Sequence, residues 1–211
     1  DNVESRGLGD VYKRQILDDA FQHRKVIPTY SLLLSDYSNL YFNDYLLPRG
    51  SLRESKKGSK RADSIVITKC PENFSQSDKN YLIDRVKLSP NQNIFFSKIK
   101  YSEELYSSSD TLNIMKLSNK KVNVVTGIVN SEVLISFLED KNITVEHFKY
   151  PDHFDYKEKD ILKFKDNITI TTEKDYSKLR KFNIENLYYL PISVDISEEK
   201  IFIETIRDKI T

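Results

Sequence analysis

Residues 121–139, Lys-Val-Asn-Val-Val-Thr-Gly-Ile-Val-Asn-Ser-Glu-Val-Leu-Ile-Ser-Phe-Leu-Glu, change their hydrophobic period halfway along. Lys121 to Thr126 is a short apolar run, the pattern of a buried strand. Beyond Gly127 the apolar residues Val133, Leu134, Phe137 and Leu138 recur at helical spacing, and Asn130 or Ser131 stands where a cap belongs. Ile143 to Phe148 then alternates as a further strand, with His147 as one of its residues. Working downstream, Asp155 with Glu158 and Thr172 with Asp175 are spaced as capping boxes for helices near 156–165 and 173–181. Ile168–Thr171 and Leu187–Leu190 supply strands between them. Upstream, Tyr30–Ser35 reads as a buried strand ending at Asp36, and Ser64–Thr68 as another. Ser77–Lys87 reads as a helix, and Asn93–Ser97 and Thr111–Lys116 as extended segments. A final helix from Ser197 to about Ile210 carries Phe202, Ile203, Ile206 and Ile210 on one face. The alternation predicts an α/β fold, a sandwich with a mostly parallel sheet.

At 211 residues the chain can bury a substantial core, with 13 Tyr and 11 Phe to fill it. Its 33 Lys and Arg balance 32 Asp and Glu, so bulk charge names no partner. The single cysteine, Cys70, excludes an internal disulfide framework and fits a reducing compartment. No run approaches the ~20 apolar residues of a membrane span, so the expected location is the cytoplasm. Residues 1–15 show neither period and carry two of the five glycines. They read as a non-native or disordered tail, with upstream structure missing before Ile16.

Two clusters carry chemistry. In residues 16–24, Ile-Leu-Asp-Asp-Ala-Phe-Gln-His-Arg, an apolar approach through Ile16 and Leu17 suggests a buried strand. Asp18 and Asp19 would then sit at its carboxyl end, where α/β sheets place ligands, and two such carboxylates suit a divalent cation. The plain alternative is a solvated acidic turn. In residues 150–156, Tyr-Pro-Asp-His-Phe-Asp-Tyr, His153 stands beside Asp152 as a general base or acid.

Residues 48–61 carry six basic side chains against one acidic. Arg49 and Arg53 flank a Gly-Ser turn suited to a phosphate or an anionic lipid surface, although a solvated charge run fits equally well. One such patch on a near-neutral chain is too little for nucleic acid. Tyr37, Tyr41, Phe42 and Tyr45 form an aromatic connector suited to acyl chains or to packing.

Six ordered motifs then fit one family. They are Asp-Asp-Ala-Phe-Gln-His-Arg at 18–24, Leu-Pro-Arg-Gly-Ser-Leu-Arg-Glu-Ser at 47–55 and Arg-Ala-Asp-Ser-Ile-Val-Ile-Thr-Lys-Cys-Pro at 61–71. Val-Thr-Gly-Ile at 125–128, Asp-His at 152–153 and Thr-Glu-Lys-Asp at 172–175 complete the set. From about Ile16 onward the chain resembles the tetraacyldisaccharide 4'-kinases. That resemblance implies ATP-dependent phosphorylation of the 4'-hydroxyl of an acylated glucosamine disaccharide in lipid A synthesis, at the cytoplasmic face of the inner membrane.

It also implies roles. Asp18 and Asp19 would place Mg²⁺ and the transferring phosphate, and His153, oriented by Asp152, would help take the hydroxyl proton. Gln22, Arg24 and Arg53 would hold phosphate or sugar. The family's Gly-x-x-x-x-Gly-Lys-Ser/Thr loop occurs nowhere in these 211 residues, so the chain alone is expected to be inactive. Arg49 stands where the family usually has a small residue, and Phe154 where a second polar residue is common. The implied organisation is a remnant of the nucleotide-binding lobe at 16–46, a second α/β lobe at 47–196 and a C-terminal helix at 197–211.

Two other readings use the same residues. Asp18, Asp19, His23, Asp152 and His153 would chelate a transition metal in a phosphohydrolase. A non-catalytic module would bind anionic lipid through the basic turn and its tyrosines.

Overall fold

In the computed structural model, which describes residues 15–128, 130–164 and 166–210, strands and helices alternate as the periodicity predicts. The elements are β1 (Leu32–Asp36), β2 (Ser64–Thr68), α1 (Gln76–Val86), β3 (Asn93–Tyr101), β4 (Glu104–Tyr106), β5 (Thr111–Asn113), β6 (Lys121–Thr126), α2 (Glu132–Glu139) and β7 (Thr144–Lys149). They continue through α3 (Glu158–Ile161), β8 (Thr169–Thr171), α4 (Glu173–Leu179), β9 (Leu187–Tyr189), β10 (Ile192–Ile196) and α5 (Glu199–Ile210). Two sheets result, ordered β1-β2-β3-β10 and β5-β4-β9-β8-β6-β7. Of the pairings whose registers are defined, only those made by β4 are antiparallel.

The chain divides into two units. One runs to Lys98 and resumes at Ile196; the other is Ile99–Asp195. A break at 46/47 is therefore not where the units part, because β1 pairs in register with β2 across that position. The expected C-terminal helix belongs with the first unit, where Phe202 packs edge-on against Phe95 at 5.0 Å. Of the expected tail, residues 1–14 lie outside the described residues.

In the first unit the core is Ile65, Ile67, Leu82, Val86 and Phe96, with Tyr37, Tyr41 and Phe42 packed against it. The aromatic connector is thus largely core packing. β2 is buried almost throughout, as a central strand covered on both faces should be. β1 is at the edge instead, and of its five residues only Ser35 is buried. The strand expected at Ile16 and Leu17 does not form. Ile16 is 98% exposed, and residues 15–31 are turns and coil. Two apolar residues without a neighbouring strand gain too little burial to offset the entropy of ordering.

In the second unit, Val122 and Val124 of β6 point to one face with Leu134 and Leu138 of α2. Val125 points to the other with Ile161, Phe164 and Leu179. Helices on both faces explain the near-continuous apolar run that began the sequence reading. From β6 the chain crosses through α2 to β7 on one side, and from β7 through α3 to β8 on the other. The order therefore switches between β6 and β8, and the crevice outside their carboxyl ends is where such sheets hold ligands.

Local departures have local causes. Val133 is exposed rather than on the apolar face of α2, and Ile203 of α5 is also partly exposed. Asn130, not Ser131, accepts the Glu132 N–H at the start of α2, at 3.2 Å. α3 is shorter than expected and starts later, with the Lys157 N–H bonded to Asp160 rather than Asp155 capping through Glu158. α4 ends at Leu179 and tightens into a 3-10 turn over Arg180–Phe182. The Thr111–Lys116 segment is extended only to Asn113, then turns 3-10.

Candidate functional site

The first cluster is held by its own turns and by the basic segment. Asp18 Oδ1 accepts the Asp19 N–H at 2.9 Å, with Asp19 in the left-handed region at φ 46°. Arg53 donates to Asp19 Oδ2 at 2.9 Å, and both side chains are well exposed. So the pair forms an exposed turn, not the end of a strand, yet one carboxylate already meets a predicted phosphate-binding arginine. Arg24 and Arg61 converge on Glu54, at 3.1 and 2.6 Å. Arg61 also donates to the Phe21 carbonyl at 3.0 Å and lies 4.8 Å over its ring. The hydrogen bond from Arg61, with that from Arg24, holds the Glu54 carboxyl below its ordinary range despite burial pushing it up. Gln22 and His23 are exposed on the same stretch.

Sequence reasoning missed Glu54, although it is the one acid among six bases in residues 48–61. Its side chain is mostly buried and joins 18–24 to 53–61. Gly58 permits this, since a Cβ there would lie 2.8 Å from Glu54 Cδ.

The Gly-Ser turn is closed on itself instead of offering its amides to a phosphate. The Gly50 N–H bonds to the Leu46 carbonyl at 3.2 Å, and the Ser51 N–H to Asp44 at 3.0 Å. Arg49 lies 4.1 Å over the Tyr45 ring.

The second cluster belongs to the other unit and sits at the carboxyl ends of its parallel strands. The turn after β7 carries Asp152 and His153, and the turn after β8 leads into α4. His153 is at φ 59°, with its side chain 79% exposed. Asp152 Oδ1 accepts the His153 N–H at 2.9 Å and Lys174 Nζ at 2.5 Å. The hydrogen bond from Lys174 holds the Asp152 carboxyl below its usual range. The ring is 3.7 Å from Asp152 Oδ2, beyond hydrogen-bond reach. The carboxylate expected to orient the imidazole thus grips the backbone beneath it.

The start of α4 is anchored from within. Thr172 accepts the Asp175 N–H at 3.1 Å and donates to Asp175 Oδ2 at 2.9 Å. The fully buried Asp175 carboxylate also accepts the Gly127 N–H at 2.8 Å, tying β6 to the β8 turn at the switch point. Beside it lies the buried Tyr156, whose hydroxyl pKa is raised by burial and by the Asp175 charge. Only half of the expected capping box forms, because Thr172 caps the Asp175 N–H while the Asp175 carboxylate turns to the Thr172 hydroxyl and Gly127, and this pair is the floor of the cluster.

His147 behaves as a strand residue. Its Nε2 is 2.9 Å from Thr126 Oγ1, and partial burial, with Lys149 nearby, lowers its pKa.

Asp18 and Asp19 thus lie in one unit and Asp152 and His153 in the other. Among the described residues no three His, Cys, Asp or Glu side chains gather as a metal-binding group. Mg²⁺ asks for less, taking one or two carboxylates with water and phosphate oxygens, and the exposed Asp18–Asp19 pair fits that demand. No helix among the described residues is long and apolar enough to cross a membrane.

Comparison with known proteins agrees with the motif order. The sequence profile of the family described as tetraacyldisaccharide-1-P 4'-kinase matches residues 11–211. That match begins inside the segment expected to be foreign. The tetraacyldisaccharide 4'-kinase of Flavobacterium psychrophilum is 40% identical over 195 residues, covering 89% of this chain and 56% of that protein. The same enzyme from Flavobacterium johnsoniae is 36% identical over 182 residues, covering 84% and 53%. A crystal structure described as the "apo" form of LpxK from Aquifex aeolicus in complex with ATP superposes with a TM-score of 0.65 at 26% identity, covering 91% of this chain and 56% of that one. The chain spans about half the length of the curated relatives it matches.

Proposed function

The chain belongs to the tetraacyldisaccharide-1-P 4'-kinase family, and from that membership we propose that it contributes to ATP-dependent transfer of phosphate to the 4'-hydroxyl of an acylated disaccharide 1-phosphate. The observation that carries this reading is the Asp152–His153 turn at the carboxyl edge of a doubly wound sheet, in a chain whose motifs follow the family's order. His153 Nε2, exposed on its turn, takes the proton of the attacking hydroxyl, and Asp152 fixes the backbone that presents it. Asp18 and Asp19 would hold Mg²⁺, which when bound would neutralise charge on the transferring phosphate. Gln22, Arg24 and Arg53 hold phosphate or sugar, with Glu54 keeping Arg24 in place. Such chemistry depends on positioning and electrostatics more than on covalent steps.

In this reading the acidic and arginine cluster serves as the phosphate side, and the imidazole as the acceptor side. Because these 211 residues hold no Gly-x-x-x-x-Gly-Lys-Ser/Thr loop, we propose that this chain by itself transfers no phosphate. The basic segment and the exposed Tyr45, Leu46 and Leu47 rest on the cytoplasmic surface of the inner membrane, where each Lys or Arg adds about 1 kcal/mol of attraction to anionic lipid.

The test is a radiolabelled ATP assay with the acylated disaccharide, using the product of the gene that encodes this chain. ATP-dependent labelling that disappears with Asp18→Asn and His153→Ala is expected. Labelling unaffected by both substitutions would refute the assignment.

A further inference from the structure

Helix α4 reaches the His153 turn through more than one side chain. Lys174 donates to Asp152 Oδ1 at 2.5 Å, and Lys178, one helical turn on, donates to the Phe154 carbonyl at 3.2 Å. Lys181, just beyond the helix, pairs with Asp155 at 3.7 Å. Three bases from one short stretch therefore engage the residues on both sides of His153. Asp152 Oδ1 is the node, because it takes the His153 N–H as well as Lys174.

Stability alone does not explain this arrangement. The Lys174–Asp152 pair is exposed on both sides, and such screened pairs add little to stability. His153 meanwhile holds a left-handed backbone, a conformation that disfavours a non-glycine residue and persists where neighbours determine it. The helix that determines it is fixed in turn, through Thr172 and the buried Asp175.

We propose that Lys174 is a positioning residue for His153. Through Asp152 it holds the 152–154 backbone in the one conformation that presents the imidazole outward at the sheet's carboxyl edge, with Lys178 as the second tether. The middle of the Thr-Glu-Lys-Asp motif thereby acquires a purpose separate from the cap made by its first and last residues. This rests on the reading of His153 as the proton acceptor in phosphate transfer.

Amide hydrogen exchange on the 211-residue chain tests the positioning itself. In Lys174→Met the His153 amide should exchange about tenfold faster or more, while Lys174→Arg restores protection and the Gly127 amide, held by Asp175, stays as slow as before. Unchanged His153 exchange in Lys174→Met would overturn the positioning role. The kinase assay separates the underlying reading. Loss of transfer in both His153→Ala and Lys174→Met, with Lys174→Arg active and KM little changed, supports the whole proposal. Full transfer by His153→Ala would overturn the catalytic half, whatever the exchange data show.

Discussion

Asp175 Oδ2 accepts the backbone N–H of Gly127 at 2.8 Å, so a buried carboxylate at the start of α4 fastens the turn that follows β6. That bond closes the crevice at the point where strand order reverses, and it makes the site's floor part of the core. Replacing Asp175 by Ala strands the Gly127 donor and the Thr172 hydroxyl together. The expected loss is about 2–4 kcal/mol, since each unpaired buried group costs about 1–3 kcal/mol. Urea unfolding followed by circular dichroism checks it, and Asp175→Asn should lose less.

Gly127→Ala probes the same contact from the other side. Its Cβ would lie 2.9 Å from Asp175 Oδ1 and 3.2 Å from both the Pro151 carbonyl and the Tyr156 hydroxyl. Neither backbone nor buried ring can give way freely. Destabilisation of about 1–3 kcal/mol is expected, with shifted amide resonances at 151–154 as the local signature.

Much of this architecture was legible in the sequence, because the second unit obeys simple rules. The apolar run at 121–126 is covered on both faces, and Thr172 with Asp175 does cap α4. What escaped was anything that depends on long-range partners. Ile16 and Leu17 resemble a strand locally but find no neighbouring strand. Tyr30–Ser35 is extended largely as read, yet its burial depends on β1 being an edge. Glu54 went unassigned because its importance lies in Arg24, thirty residues earlier, and Arg61. The grip of Lys174 on Asp152 spans 22 residues and no helical or strand period reports it.

Glu54 should make the first unit acid-sensitive. Its folded carboxyl is held below the ordinary value of 4.5, chiefly by the Arg61 hydrogen bond. A carboxyl with a depressed folded pKa contributes stability that is complete above the unfolded value and is lost as pH falls through the folded one. Glu54→Gln should therefore cost about 1–2 kcal/mol at pH 7, and the gap from the parent should close below about pH 4.5. Urea titrations between pH 7 and 3 measure that gap directly; a constant difference across the range would contradict the pairing.

His147 predicts a second pH window in the other unit. Burial, then the Lys149 charge, lowers its pKa from 6.5, so the folded state favours neutral imidazole beside Thr126. Stability from this group is full above about pH 6.5 and declines as pH falls toward the folded value. His147→Gln, which keeps a polar partner for Thr126, should flatten the stability profile between pH 7 and 5. An unchanged slope would show that the imidazole is not the group responsible.

The Arg53–Asp19 contact separates stability from function most cleanly. At 2.9 Å the geometry is good, but the side chains are 61% and 68% exposed, and a screened surface pair contributes about 0–1 kcal/mol. Arg53→Met and Asp19→Asn should each leave the melting temperature almost unchanged. If the pair holds the phosphate side of the reaction, as proposed, each should nevertheless reduce ATP-dependent transfer by about 100-fold, the scale on which a lost electrostatic contact to a transferring group is felt. The double variant should then lose less than the sum of the two single losses, because the side chains are in contact and each orients the other. Full additivity of the two losses would mean that Arg53 and Asp19 serve separate parts of the substrate, and the ion pair would then be incidental to the chemistry.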